Sequence, residues 1–205
     1  MMEIRRRVLL GSRKKEEGLP DAYQRVEYIE NTGTQYILTN YIPTVTEDMK
    51  IEMDYMATLD GYRGDNFFFG AKTGGSSSIT FQGELFGNQW YCGSGIWQFR
   101  GILPRVGFAK DNKYSLIIDE DSMTIDGQTK TYTEKRSAYY AVAICIFAGN
   151  WDGAYKFIHS GARIYKLTFT ANGTKEADFV PCYRKSDNEI GMYDTVSRIF
   201  YINAG

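Results

Sequence analysis

Short runs of alternating apolar and polar residues, separated by glycine, asparagine and aspartate, occupy most of the chain after Arg25 and constrain its fold more than any other feature. The clearest run is KIEMDYMAT from Lys50, in which Ile51, Met53 and Tyr55 would share one face of a strand. Such runs recur about every 8–12 residues, which is the spacing of sandwiches and barrels rather than of α/β folds. The pattern therefore predicts an all-β sandwich.

The composition agrees with strands that are joined by tight turns. The 205 residues include 16 Tyr, 12 Phe and 21 Gly but only 4 Pro, and aromatic residues favour strands while glycine favours turns. Asp126-Gly127 and Asn172-Gly173 are predicted hairpin turns, and residues 141–150, AVAICIFAGN, are predicted to form one buried central strand. A chain of this length buries roughly 70% of its unfolded surface in one domain, so its core needs neither a disulfide nor a metal.

The first 20 residues differ in character from the rest and are predicted to form a separate arm. They carry six basic and three acidic side chains, a balance of +3, so residues 21–205 of this chain of net charge −1 carry −4. The sequence Gly18-Leu19-Pro20 separates the arm, residues 1–20, from a single domain, residues 21–205. An acidic domain is a poor general binder of nucleic acid, so we do not expect nucleic acid as a partner.

The arm is predicted to anchor the domain on a partner protein, because it is too short and too polar to bury a core of its own. Its apolar side chains would contact the partner and its arginines would pair with carboxylates there. The anchoring residues are Ile4, Arg5, Arg6, Arg7, Val8, Leu9 and Leu10. The alternative is that the arm packs on its own domain or on an identical subunit, which leaves a homo-oligomer open.

The sequence predicts neither export nor a membrane span. Only three consecutive apolar residues, 8–10, follow the arginines, whereas a signal peptide needs about 7–15, and no apolar stretch approaches about 20 residues. The three cysteines, Cys92, Cys145 and Cys182, include no CxxC pair. We therefore expect reduced thiols, with Cys145 buried, no metal site, no cofactor and folding in a cytoplasm.

Aromatic residues near glycine turns are the best candidates for a binding site, since sugars and partner proteins both stack on flat rings. One group consists of Trp90, Tyr91 and Trp97, and the other of Trp151 beside Asp152. The carboxylate of the second group could accept hydrogen bonds from a sugar. The alternative is that these rings belong to the core, because a sandwich rich in aromatic residues buries most of them.

Three segments resemble a known kind of domain: LPDAYQRVEYIENTGTQYI from Leu19, GARIYKLTF from Gly161, and ADFVPCYRKSDNEIGMYDTVSRIFYINAG from Ala177. They are similar to a concanavalin A-like or laminin G-like jelly roll that recurs in tail, fibre, head decoration and other virion proteins of bacteriophages and prophages. The resemblance implies a jelly-roll sandwich, a place in the virion, other virion proteins as partners and a host-surface glycan as a receptor. Within the last segment we expect Val180 and Pro181 to end one strand, and residues 190–202 to form a hairpin.

No catalytic pattern is complete, and we do not expect an enzyme. Jelly-roll glucanases use two carboxylates of an E-x-D-x-E strand as nucleophile and general acid, but here Glu52 and Asp54 are followed by Met56. We expect these residues to be the solvated face of a strand. The single histidine, His159, is not accompanied by a G-x-S-x-G elbow, and we expect it to pack in a loop or the core. The acids at residues 119–121 lack the spacing of a calcium loop, and we expect a polar turn.

Two other functions stay open on the sequence alone. One is a bacterial carbohydrate-binding module, and the other is a glycoside hydrolase with an atypical site. The lack of an export signal argues against a secreted lectin, and Met56 argues against the usual glucanase mechanism.

Overall fold

The structure, a computed structural model, describes residues 18–44, 48–60, 65–72, 80–86, 89–94, 97–100, 107, 109–119, 121–131, 134–135, 142–156 and 158–205. For residues 65, 72, 80–86, 89–94, 97–100, 134–135 and 156 it describes the backbone only. The regular elements in these ranges are β-strands. No helix long and apolar enough to cross a membrane occurs in them.

The strands form two sheets, and within the described ranges the larger sheet has 10 strands and the smaller has 9. The larger sheet consists of β1 (Tyr23–Arg25), β2 (Ile29–Asn31), β4 (Lys50–Ala57), β9 (Lys113–Asp119), β10 (Ser122–Ile125), β11 (Gln128–Thr131), β16 (Ala162–Ala171), β17 (Thr174–Arg184), β18 (Ile190–Asp194) and β19 (Ile199–Ile202). The smaller sheet consists of β3 (Ile37–Leu38), β5 (Asp65–Lys72), β6 (Thr80–Phe86), β7 (Gln89–Ser94), β8 (Trp97–Arg100), β12 (Glu134–Lys135), β13 (Cys145–Ile146), β14 (Gly149–Trp151) and β15 (Ala154–Lys156). The main paths run β11-β10-β9-β4-β16-β17-β18-β19 and β12-β8-β7-β6-β5-β13-β3.

Aromatic rings from the two sheets meet in the core. Alternate residues of β4 are buried, as its sequence predicts, and among them Tyr55 meets Phe68 of β5 with ring centroids 4.8 Å apart. Phe169 of β16 meets Phe69 of β5 edge-on at 5.5 Å. Each buried ring of this kind stabilises the fold by roughly 1.5–3 kcal/mol. These contacts confirm the predicted all-β sandwich of two packed sheets.

β16 and β17 form a long hairpin that opens into a fork, and the first two strands of the domain fill that fork. Near the turn the two strands pair directly, as at Leu167 and Phe179. Further from the turn, β16 pairs with β2 and β17 pairs with β1. Strands from the beginning of the domain are therefore held between two strands from the last third of the chain.

Pro181 lies inside β17, so the prediction that it ends a strand is wrong. The strand continues to Arg184, and Pro181 keeps its register with Met192 of β18. The Pro181 carbonyl accepts a hydrogen bond from the Val26 N–H at 3.0 Å. Because the nitrogen and carbonyl of a strand residue point to the same side, the position without an N–H faces the fork and not β18.

Two predicted hairpin turns are confirmed. Asp126 and Gly127 join β10 to β11 with φ values of 46° and 78°, and Asn172 and Gly173 join β16 to β17 with φ values of 50° and 67°. Positive φ at both central residues is the type I′ geometry, whose twist matches that of paired strands.

The single strand predicted over residues 141–150 is divided in two. β13 runs antiparallel to β5 and β14 runs parallel to it, so the chain reverses direction between them. Buried Phe147 makes the reversal with a φ of 64°, and its N–H donates to the Phe68 carbonyl at 2.8 Å. A phenylalanine in this left-handed region is uncommon, and the apolar run carries no signal for it.

Candidate functional site

The turn between β18 and β19 is organised by a buried carboxylate, Asp194. Its oxygens accept hydrogen bonds from the backbone N–H groups of Asp178, Val196 and Ser197 at 2.9, 3.1 and 3.2 Å. The Ser197 hydroxyl donates a fourth at 2.5 Å. Asp194 is only 1% exposed, so these four donors replace the water that the carboxylate would otherwise bind. The role that this arrangement supports is to fix the turn.

A second carboxylate, Asp178, connects this turn to the neighbouring hairpin. It accepts hydrogen bonds from the Thr168 hydroxyl at 2.9 Å, the Lys175 ammonium at 2.9 Å and the Thr195 hydroxyl at 3.0 Å. Burial raises the pKa of Asp178, but these donors together outweigh burial and hold the pKa below its usual range. Asp178 and Asp194 thus form one cluster, which we call the two-aspartate cluster.

The acids that resemble part of a glucanase strand lie on the outer face of β4. Glu52 is 3.9 Å from the Lys50 ammonium and 3.8 Å from that of Lys166. Asp54 is 3.4 Å from Lys113 and accepts a hydrogen bond from Ser115 at 2.6 Å. This confirms the expected solvated strand face, and the carboxylates there are engaged with lysines on their own and neighbouring strands.

Met56, which stands in the third acidic position of that pattern, belongs to a cluster of cations and rings on the same face. Its sulfur lies 3.4 Å from the Arg163 guanidinium and 3.6 Å from the Tyr165 hydroxyl. Arg163 also pairs with Glu30 at 2.8 Å and lies over the Tyr28 ring at 4.5 Å. Arg163 is therefore held by a carboxylate, a sulfur and a ring, an arrangement that stabilises the pairing of β2 with β16.

His159 is buried in the core, which is one of the two placements, loop or core, that are expected from the sequence. Its Nδ1 accepts a hydrogen bond from the Gly161 N–H at 3.2 Å, and its ring lies 4.3 Å from the ring of Phe68. Burial lowers the pKa of His159 to about 3. The imidazole is therefore neutral at physiological pH, with its proton on Nε2.

Trp151 and Asp152 lie together at the tip of the β14–β15 hairpin. Asp152 and Gly153 form the turn, with φ values of 48° and 89°, and the Asp152 side chain is exposed. The half-buried Trp151 ring packs edge-on against the buried ring of Phe67, with centroids 5.3 Å apart. In this predicted group, the Trp151 ring is thus partly exposed and partly packed on the core, while the Asp152 side chain is exposed.

The other predicted group lies two strands away in the same sheet. Trp90 and Tyr91 are in β7, where Tyr91 pairs with Arg100, and Trp97 is in β8. β6 and β5 separate β7 from β14, so these two strands lie about 14 Å apart across the sheet at ~4.8 Å per strand.

Several predicted features can be placed only in part. The anchoring residues Ile4, Arg5, Arg6, Arg7, Val8, Leu9 and Leu10 lie outside the described residues. Of the acids at 119–121, Asp119 ends β9 and Asp121 follows in the turn before β10. In the ranges that the structure describes, no group of three or more His, Cys, Asp or Glu side chains is arranged to hold a metal. Cys145 and Cys182 are buried thiols, and burial raises the pKa of Cys182 to about 12.

Comparisons with models of known protein families, with curated proteins and with solved structures find no match. The function of the chain therefore has to be inferred from its own residues.

The two-aspartate cluster is the most organised polar centre in the described residues that reasoning from the sequence missed. The sequence does carry a signal for the Asp194 part of the cluster, because an aspartate followed by Thr195 and Ser197 is typical of a side chain that caps its own turn. The other half depends on Asp178 lying beside that turn. This neighbour relation follows from the pairing of β17 with β18 and is not visible in either segment alone.

Proposed function

We propose that this chain is a structural protein of a bacteriophage virion, a fibre, decoration or baseplate component. In this proposal, a concanavalin A-like or laminin G-like jelly roll serves as a building block or receptor-facing module. The N-terminal arm docks on a neighbouring virion protein, and a host-surface glycan is the receptor that the module would bind.

The observation that carries the proposal is the convergence of the three segments that resemble virion domains. They are distant in sequence, yet they form β1 to β3, β16, and most of β17 together with β18 and β19. β1 pairs with β17, β2 pairs with β16, and Ile37 bridges Asn203 just beyond β19. Segments that resemble one domain would be expected to assemble into one contiguous part of it, and these do.

The positions of the arm and of the tryptophans support different roles for the two sheets, one in attachment and the other in receptor binding. Gly18, where the described chain begins, lies against Thr195 at the turn before β19 of the larger sheet; a Cβ on Gly18 would be 3.3 Å from the Thr195 methyl. Trp90, Trp97 and Trp151 all belong to strands of the smaller sheet. Attachment through one sheet would leave the tryptophan-bearing sheet available to a receptor.

The proposal is tested by immunogold electron microscopy of purified virions with an antibody to this chain. We expect label at one defined part of the particle. In a second arm of the experiment, the chain without residues 1–17 should fold with a nearly unchanged melting temperature but be lost from particles. The control replaces residues 1–17 by a Gly/Ser stretch of equal length, which separates the effect of sequence from that of length. Absence of label from all virions would contradict the proposal.

A further inference from the structure

The last strand of the larger sheet, β19, presents an apolar edge. It pairs with β18 on one side, and no other described strand pairs with it over residues 199–202. Val196, Ile199 and Ile202, at and beside this strand, are between 38% and 43% exposed. Ile37 bridges Asn203 just beyond it, so the open stretch is four residues long.

The opposite edge of the same sheet shows how an edge is normally protected. That edge is β11, whose sequence is QTKT and whose four residues are all exposed. A charged side chain such as Lys130 in this strand discourages pairing with another strand. β19, with the sequence IFYI, has none of these protections, and an apolar edge of this kind is a site for the addition of a strand.

The arm leaves the domain directly beside this edge. Gly18 lies against Thr195, the residue before Val196. Tyr23 then places its ring 4.9 Å from those of Tyr193 and Phe200 on the outer face of β18 and β19. The path of the chain therefore fixes the start of the arm at the turn that leads into the apolar edge.

We propose that residues 8–10, the apolar triplet Val8, Leu9 and Leu10, add to the edge of β19 in their own domain as a further short strand. The lengths agree, since three apolar residues meet a four-residue edge. Residues 11–17 between the triplet and Gly18 can extend over roughly 23 Å at about 3.3 Å per residue. The edge itself spans only about 10 Å, so the connection reaches easily.

A second copy of the chain is the less suitable occupant. A stable dimer needs about 800 Å² buried on each partner, and a four-residue edge with three exposed apolar side chains offers much less. A tethered segment needs far less contact, because a short linker gives it an effective concentration in the millimolar range. The inference goes beyond the proposed function, since it concerns the isolated protein; to anchor on a partner in the virion, the triplet would leave this edge.

The test is amide hydrogen exchange of the full-length protein measured by NMR. We expect the amides of residues 8–10 and of Ile199 to Ile202 to exchange at least about tenfold more slowly in the native protein than in the variant Val8→Ser/Leu9→Ser/Leu10→Ser. The reciprocal variant Ile199→Thr/Ile202→Thr keeps strand-forming side chains and should release residues 8–10 to the same extent.

Two controls make the outcome specific. Arg5→Ser/Arg6→Ser/Arg7→Ser changes the same arm, and Leu59→Ser changes an exposed apolar residue elsewhere; both should leave the protection intact. The proposal is overturned if residues 8–10 exchange at the rate of an unprotected peptide, or if their protection survives the Ile199→Thr/Ile202→Thr change. Protection that grows with protein concentration would assign the edge to a second copy and also overturn it. None of these outcomes bears on whether the chain is found in virions.

Discussion

The carboxylate of Asp194 accepts a hydrogen bond from the backbone N–H of Asp178, at 2.9 Å, across the pairing of β17 with β18. Asp178 in turn accepts from Thr195, the residue after Asp194. Each aspartate therefore holds the chain segment that carries the other, which couples the last hairpin of the domain to the β16–β17 hairpin. The consequence is that this part of the fold depends on the acceptor oxygens of two aspartate side chains.

Asp194→Asn should lower the free energy of unfolding by about 2–4 kcal/mol, because an amide cannot accept from all four donors and a buried donor is left unsatisfied. Urea unfolding of the purified domain measures this change. Asp187→Asn is the matched control, since Asp187 pairs with Arg184 on the surface, and it should change stability much less. Equal effects of the two changes would show that the cluster has no special role.

His159 should make stability depend on pH. Burial holds its folded-state pKa at about 3, whereas the unfolded chain takes up a proton near pH 6.5. Protonation therefore favours the unfolded state: the contribution of His159 is fully present above about pH 6.5 and is lost as pH falls toward 3, by up to about 1.4 kcal/mol per pH unit.

The measurement is urea unfolding between pH 7 and pH 5.5, a range that lies above the ordinary carboxylate pKa values of about 3.9–4.3. His159→Asn keeps an acceptor for the Gly161 N–H. This variant should remove most of the dependence of the free energy of unfolding on pH in this range, even if its absolute stability is lower. A slope that is unchanged in this variant would mean that another group is responsible.

Two glycines provide a matched pair of backbone substitutions. A Cβ at Gly191 would lie 2.0 Å from the Tyr201 carbonyl oxygen, whereas at Gly173 it would meet nothing within 4 Å. Gly191→Ala should therefore destabilise the domain by about 3 kcal/mol, and Gly173→Ala by only about 1 kcal/mol for its positive φ. Thermal or urea unfolding that ranks the two variants the other way round would contradict the close packing of β18 on β19.

The purified protein should release no reducing sugar from laminarin or lichenan. The retaining mechanism requires a second carboxylate, and Met56 occupies that position, with its sulfur close to Arg163 and Tyr165. Hydrolysis that disappears in the Glu52→Gln variant would prove this expectation wrong. Glu52→Gln should also keep nearly the same melting temperature, because its ion pairs are on the surface.

If a glycan array gives a hit, at least one of Trp90→Ala, Trp97→Ala and Trp151→Ala should weaken that binding about tenfold or more, because a stacking ring is lost. Trp151→Ala needs a check of folding by circular dichroism, since its ring also packs on Phe67. Tyr155→Ala, an exposed ring on the same hairpin, is the control. Retention of binding by all three folded tryptophan variants would exclude them as the contact.

Local patterns predicted much of the fold, because the physics they report is local. Alternation along β4 identified its buried face, and two glycine-containing turns identified hairpins, since period two and positive φ are properties of a few consecutive residues. Phe147 shows the limit. Its run is uniformly apolar, and the reversal there is stabilised by hydrogen bonds to Phe68 and His159, which the run itself does not reveal.

The candidate site was less predictable, because it depends on contacts between distant segments. The sequence left open whether Trp151 is exposed or part of the core, and its ring is half covered by Phe67, more than 80 residues earlier in the chain. In the same way, Pro181 looked like the end of a strand, yet its missing N–H faces a fork that exists only because β1 and β2 fill it. Neither relation could be derived without the pairing of the strands.

The fork between β16 and β17 also sets the order in which the protein can be completed as it is made. β1 and β2 leave the ribosome first but find their partners only after residues 162–184 have followed. Contacts so distant in sequence make folding slow, because a long loop has to close before any of them forms. Until then the first strands have unpaired edges, so the nascent chain is expected to depend on chaperones until residues 162–184 have been made.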